Sequence, residues 1–322
     1  MDREGNAPQR PEMERIGGWI RYSYGREAAG IRPLAGGLSA LAYEADCASG
    51  ERLFLKVYDR RQPGFGRWAG GMDQYIPLLW GMNRTAGLIG ALPEPVRTTD
   101  GAFYCEDGPY RYLVYRFIEG DTPGEGLLDA GQLRQLAGLL AAVHAYPPPQ
   151  GLLRESFQIP FDGALRAVLG RGPETLVSAG QREQILRLLS LGVRLGRELK
   201  AAGLPMVLCH GDIHRGNLMQ RDSQLVLIDW EGVSIAPPEA DLFFFQRYEP
   251  GFSRLYRQLT GYEPHEPAIA FFGIRRRLDD IHEFLAELGR GCPSPLLTEG
   301  QCRRYLSAEL ERLELPMRFS LL

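Results

Sequence analysis

The segment His210-Gly211-Asp212-Ile213-His214-Arg215-Gly216-Asn217, followed by Ile228-Asp229-Trp230-Glu231, sets two carboxylates and an amide close together in the chain, as hard oxygen ligands beside a candidate base. Transfer of a phosphoryl group from ATP needs such a set. Mg2+ takes oxygen ligands and leaves positions for phosphate, while a further carboxylate orients the attacking hydroxyl. Asn217 and Asp229 suit the metal, and Asp212 suits the hydroxyl. The competing reading is an Asx-rich turn between strands, which accounts for any one of these residues but poorly for all three together. His210 and His214 read as satisfied structural histidines. A two-metal phosphoesterase needs several histidine and aspartate ligands; only His144, His265 and His282 lie outside the loop, too few for that chemistry.

The spacing from Asp212 to Asn217 matches the kinase catalytic loop H-x-D-x-x-x-x-N, and Asp229 ends an apolar run, where a metal-binding aspartate of that fold sits. The stretch VLCHGDIHRGNLM…LVLIDWEGVSIAPPEADLFFF resembles the aminoglycoside phosphotransferase and choline kinase family. APPEADLFF is similar to the spectinomycin-type branch. The resemblance is sharp from Val207 to Phe245 and extends loosely from about Ile31 onward. It implies an α+β, protein-kinase-like, two-lobed fold that uses ATP and Mg2+. It also implies Asp212 as catalytic base or orienter, Asn217 and Asp229 as metal ligands, Asp241 as a buried brace, and His210 as a support beneath the loop.

At the nucleotide end, Lys56 in Phe54-Leu55-Lys56-Val57 takes the place of the third-strand kinase lysine that contacts phosphates. Upstream, Gly36, Gly37 and Ser39 lie in a turn whose amides and hydroxyl could approach phosphate oxygens, although neither GxGxxG nor a P-loop motif is present. The family usually supplies the lysine's partner as a helix glutamate; here the best-placed residue is Asp73. The run from Tyr112 to Gly120 resembles an interlobe strand, with Tyr115 as gatekeeper and Arg116 and Ile118 as backbone contacts to adenine. An ordinary buried strand is the equal alternative.

For the acceptor, Asp279, Glu283 and Glu287 recur every four residues on one predicted helix face, an acidic stripe suited to an amino sugar or aminocyclitol. Arg275 and Arg276 precede Asp279 and Asp280 by one helical turn, so the stripe also reads as a solvated face of ion pairs. The expected activity is transfer of the γ-phosphate to a small-molecule hydroxyl, with an aminoglycoside- or aminocyclitol-like antibiotic as the expected acceptor. A kinase of choline, homoserine or a sugar and a noncatalytic nucleotide-binding protein are the alternatives.

These groups need a scaffold. Residues 1–30 read as an arm with a short helix from Ile16 to Tyr24. Residues 31–120 read as a β-rich nucleotide lobe, and residues 121–322 as a helical lobe. Within the first lobe, Arg67 to Leu88 is predicted helical with an irregularity at Pro77, and strands are expected near Pro95–Thr99, Ala102–Glu106 and Tyr110–Ile118. In the second, helices are predicted over Leu127–Ala145, Gln181–Ala202, Glu239–Arg247, Glu266–Leu288 and Thr298–Leu313, interrupted by a strand pair, MVLCH and LVLID. A net charge of −3, with scattered Lys and Arg, argues against an obligatory nucleic-acid partner. Five cysteines without a CxxC pair fit a reducing compartment, and the polar N-terminus and lack of a long apolar stretch point to the cytoplasm without a membrane partner.

Overall fold

A computed structural model describes residues 10–35, 39–62, 64–124, 126–171, 176–249, 251–291 and 297–313. Helix α1 (Met13–Tyr24) buries Ile16, Trp19, Ile20 and Tyr24, one stripe at helical spacing. That stripe lies on a five-stranded antiparallel sheet formed by β1 (Ala28–Leu34), β2 (Leu41–Cys47) and β3 (Arg52–Asp59). After α2 (Phe65–Ala69) and α3 (Met72–Met82), the sheet is completed by β4 (Tyr104–Asp107) and β5 (Tyr110–Arg116), in the order β1-β2-β3-β5-β4. Trp19 stacks on Tyr112 with ring centroids 4.3 Å apart, and its indole N–H donates to Asp107 at 2.7 Å. The arm thus extends the lobe by a packed helix beginning three residues before Ile16.

Alternation along β3 and β5 divides the sheet between two cores. Leu53, Leu55, Val57, Tyr112 and Val114 face α1, whereas Tyr58, Leu113 and Tyr115 join α3 and the helical lobe in a second core. Lys56 has the parity of Tyr58 and sits on that interlobe face. The predicted helix over Arg67–Leu88 is two helices, broken at Gly70-Gly71, the residues least suited to a helix interior, and not at Pro77, which lies within α3. Pro95 makes only an isolated bridge to Tyr115, since proline has no N–H for a ladder.

The helical lobe follows with α4 (Ala130–Ala145), α5 (Asp162–Arg171) and α6 (Ala179–Ala201). Capping boxes, Asp129 with Gln132 and Ser178 with Gln181, set the starts of α4 and α6. Short strands come next: β6 (Val207–Cys209), β7 (Leu218–Arg221), β8 (Gln224–Leu227) and β9 (Ser234–Ala236). The chain continues with α7 (Glu239–Tyr248), α8 (Phe252–Thr260), α9 (Glu266–Gly289) and α10 (Glu299–Leu313). The two predicted apolar strands do not pair with each other: β6 pairs with β9, and β8 pairs with β7. The residues between these strands form two loops that bury His210, Ile213, Asn217 and Trp230. Helices α5 and α8 were not predicted. Cys47, Cys105 and Cys209 are free, and no helix among the described residues is long and apolar enough to cross a membrane.

Candidate active site

Gly211 begins the central loop at φ +82°, where an added Cβ would stand 2.3 Å from the Gly232 carbonyl oxygen; only glycine lets these two loops approach so closely. Below it, the fully buried Asp241 of α7 accepts the N–H groups of His210 and Gly211, both at 2.8 Å. A buried carboxylate needs several donors, and a third comes from His144 Nε2 at 3.1 Å. The same imidazole accepts the Tyr256 hydroxyl at its Nδ1, 2.6 Å away. Asp241 therefore sits where the brace was expected, and His144 and Tyr256 extend it. Neither had a sequence signal beyond helical burial, because they lie on α4 and α8.

His210 joins the two halves of the loop. Its Nδ1 accepts the Asp212 N–H at 3.2 Å, its Nε2–H donates to the Ile228 carbonyl at 2.9 Å, and its ring meets Trp230 edge-on. Asn217 donates through its side-chain amide to the Asp212 backbone carbonyl at 2.8 Å, and its backbone carbonyl accepts the Ile228 N–H at 2.9 Å. Asp212, Asn217 and Asp229 are thereby drawn into one constellation. Asp229 itself holds a left-handed backbone at φ +65°, an arrangement uncommon outside glycine and found where surrounding structure enforces it. His214 caps the 3-10 turn at Arg215–Asn217 by accepting the Gly216 N–H; burial pushes its imidazole below the usual range, which favours this neutral acceptor form.

Lys56 reaches across from β3 to Asp229 at 2.6 Å and Glu231 at 2.5 Å. Burial alone would lower the ammonium's pKa, but the two carboxylates outweigh it and hold the lysine charged, well above its ordinary value. Reciprocally, burial would raise Asp229, yet Lys56 holds it below the usual carboxylate range. Tyr58, two residues along β3, donates to the same Glu231 oxygen at 2.5 Å. The expected Lys56–Asp73 pair is absent: Asp73 accepts the Tyr104 hydroxyl at 2.8 Å instead. On α3 it is Tyr75, buried beside Lys56, Tyr58 and Tyr115, that faces the lysine. A helix glutamate is unnecessary because Glu231 performs the pairing. The Asp229-Trp230-Glu231 run carried that signal, and no role was read from its glutamate.

Of the other nucleotide-end residues, Ser39 stands just before β2, while Gly36 and Gly37 lie outside the described residues. Tyr115 is buried on β5 near Lys56. The Arg116 N–H donates to the Glu94 carbonyl at 3.0 Å. The Ile118 backbone, just past β5, makes no hydrogen bond among the described residues.

A cavity of about 760 Å3 opens on the helical side of Asp212, lined by Phe243, Phe244, Tyr248, Ile269, Arg276 and Asp280 among others. Asp279 and Glu283 do not line it. Both bind Arg67 of α2, at 2.7 Å for Asp279, which ties the two lobes together across the cleft. The acidic stripe is thus neither an open acceptor surface nor a set of pairs confined to one helix, because an arginine from the other lobe reaches it. Arg275 turns to Glu155 rather than to Asp279, whereas Arg276 does pair with Asp280 at 3.1 Å and also with Asp212. Burial, opposed by Arg276 and reinforced by Glu309, pushes the Asp280 carboxyl up to about 7.

A model of the phosphotransferase enzyme family matches residues 30–272. No curated protein matches the sequence significantly. Among solved structures, the chain is similar to spectinomycin phosphotransferase APH(9)-Ia, solved with ADP and spectinomycin, at TM-score 0.75 and 19% identity over 95% of this chain and 98% of that one. It is also similar to APH(2")-IIia, solved with GDP and kanamycin, at TM-score 0.64 and 16% identity over 94% and 98% of the two chains. Macrolide 2'-phosphotransferase MphH from Brachybacterium faecium gives TM-score 0.58 and 16% identity over 94% and 99%. At such identities the likeness establishes the kinase-like α+β fold.

Proposed function

The chain belongs to the phosphotransferase enzyme family, and on that premise we propose that it moves the γ-phosphate of ATP to a hydroxyl of a small molecule, an aminoglycoside- or aminocyclitol-like antibiotic being the first acceptor to test. The observation that carries the reading is the convergence of Asp212, Asn217 and Asp229 on one loop pair, faced by Lys56 from the opposite lobe. Asp212 aligns the acceptor hydroxyl and receives its proton, and Lys56 passes from Asp229 and Glu231 to the phosphates when nucleotide enters. The donor set fits Mg2+: Asn217 and Asp229 offer oxygen atoms, Glu231 stands beside them, and a cation, the Lys56 ammonium, already lies between the two carboxylates. When bound, the ion would neutralise phosphate charge and help orient the phosphates. His210 and Asp241 keep the loops in register throughout.

A metabolite acceptor is the second reading, and the cavity supports it. With Arg276 on Asp212 and Arg67 on Asp279 and Glu283, the acceptor side carries cations of its own, so a polycationic antibiotic gains ion pairs there only in exchange for these arginines. The deciding experiment is an ATP-consumption screen with Mg2+ against aminocyclitols, aminoglycosides, macrolides, choline, homoserine and sugars. Asp212→Ala should lower acceptor-dependent turnover by about 10³-fold or more while Mg-ADP affinity changes by less than about threefold. Full turnover in that variant would sink the mechanism.

A further inference from the structure

Three arginines follow one another on α9, and each finds a different partner because successive helical side chains point about 100° apart. Arg275 binds Glu155, Arg277 donates to the Arg312 carbonyl, and Arg276 alone turns to the catalytic loop. Its Nη1 is on Asp212 Oδ1, and its Nε is anchored by Asp280, one turn further along the helix. The guanidinium is therefore held from behind with its fork aimed at Asp212, the group that the mechanism needs free for a hydroxyl. An arginine that did nothing but hold Asp212 would obstruct every turnover, since a charge-assisted hydrogen bond is among the stronger contacts a side chain makes.

Lys56 shows how such a contact can be temporary. Across the cleft three carboxylates, Asp212, Asp229 and Glu231, are held by two cations, Lys56 from the sheet and Arg276 from α9. Nucleotide brings anionic oxygens for both cations. A hydroxyl bonded to Asp212 lies about 2.7 Å from it, with the attacked phosphorus about 3–3.5 Å further on, so the transferring group arrives within the sweep of the Arg276 fork. Charge in that transition state spreads over three equatorial oxygens, and a planar bidentate donor that never loses its proton matches them.

We propose that Arg276 is a catalytic residue of the transfer: its guanidinium leaves Asp212 for the oxygens of the phosphoryl group in flight, while the acceptor hydroxyl takes its place on Asp212. The step rests on the phosphotransferase reading above. In it, the bond from the acceptor oxygen to the γ-phosphorus forms as the bond from that phosphorus to the β,γ-bridging oxygen breaks. ADP leaves with the electron pair, and the hydroxyl proton passes to Asp212 and then to solvent. Arg276 remains protonated, tethered by Asp280.

Binding of Mg-ADP with and without aluminium fluoride, a planar mimic of the transferring group, tests this by calorimetry without any acceptor. In the wild-type chain fluoride should tighten ADP binding; Arg276→Gln should lose about 10²-fold of that gain while its affinity for Mg-ADP alone changes by less than about threefold. Arg276→Lys, which keeps the charge without the fork, should retain part of the gain, and unaltered Mg-ADP binding certifies that each variant is folded. An undiminished fluoride gain in Arg276→Gln overturns the proposal, as does wild-type protein that binds Mg-ADP but gains nothing from fluoride. Wild-type protein that binds no Mg-ADP would instead bring down the phosphotransferase reading itself.

Discussion

The two sides of the cleft use ion pairs in opposite ways. On the nucleotide side Lys56 is buried against Asp229 and Glu231, with Tyr58 completing the cluster. On the acceptor side Arg67 is 57% exposed and spans from α2 to α9 through Asp279 and Glu283, with Arg276 half-exposed between Asp212 and Asp280. Water reaches the two guanidiniums, 57% and 41% exposed, far more than the Lys56 ammonium, 10% exposed. The sheet side of the cleft is thus organised around a buried cation, and the helical side is closed by cations in contact with water.

The largest test of that contrast is Lys56→Met. Removing the ammonium leaves Asp229 and Glu231 facing each other unpaired, and stability should fall by about 3 kcal/mol, measured by denaturant unfolding, together with the loss of Mg-ATP turnover. A variant as stable as wild type would mean that Lys56 is solvated like the acceptor-side arginines.

A smaller effect is expected from pH. The Asp280 carboxyl is raised to about 7, so the folded chain holds a proton that the unfolded chain releases near pH 4. The stability linked to that proton is complete below about pH 4 and is lost as pH rises through 7, an effect on the order of 2 kcal/mol. Asp280→Asn should flatten this part of the profile, seen as a smaller drop in melting temperature from pH 5 to pH 8 than in wild type. Equal drops would place the titration elsewhere. Lys56 and Asp229, shifted away from neutrality in opposite directions, contribute no slope in that window.

The smallest change should come from Arg67→Ala, at most about 1 kcal/mol or about 2 °C in melting temperature, and less in high salt. Its functional effect is the informative one. With Arg67 gone, Asp279 and Glu283 become available, and KM for cationic aminocyclitols should fall several-fold relative to neutral sugars. An unchanged ratio would show that acceptors never meet this stripe.

The same contrast explains what could be read from sequence. The interval from Val207 to Phe245 holds Asp212, Asn217, Asp229 and Asp241 in one local run, and short strands and turns bring such residues together whatever the rest of the chain does. The parity of β3 likewise put Lys56 on a definite face. Its partner was missed because Glu231 lies 175 residues away, and a search along the neighbouring helix led to Asp73. The acceptor side is worse in this respect: Arg67 meets Asp279 across 212 residues and Arg276 meets Asp212 across 64, so no periodicity within α9 could announce either contact. The pairing of β6 with β9 depends likewise on what each segment lies against, whereas the break at Gly70-Gly71 had a local signal in the two glycines themselves.

The left-handed turn at Asp229 constrains how this protein could drift. At φ +65° most side chains are penalised, whereas Asn and Gly are tolerated. Both lie one nucleotide change from an aspartate codon, and both remove the carboxylate while leaving the loop its shape. A lineage can therefore lose this carboxylate and keep the fold in a single mutational step, which, on the function proposed, gives its descendants a short route to phosphotransferase-fold proteins without turnover.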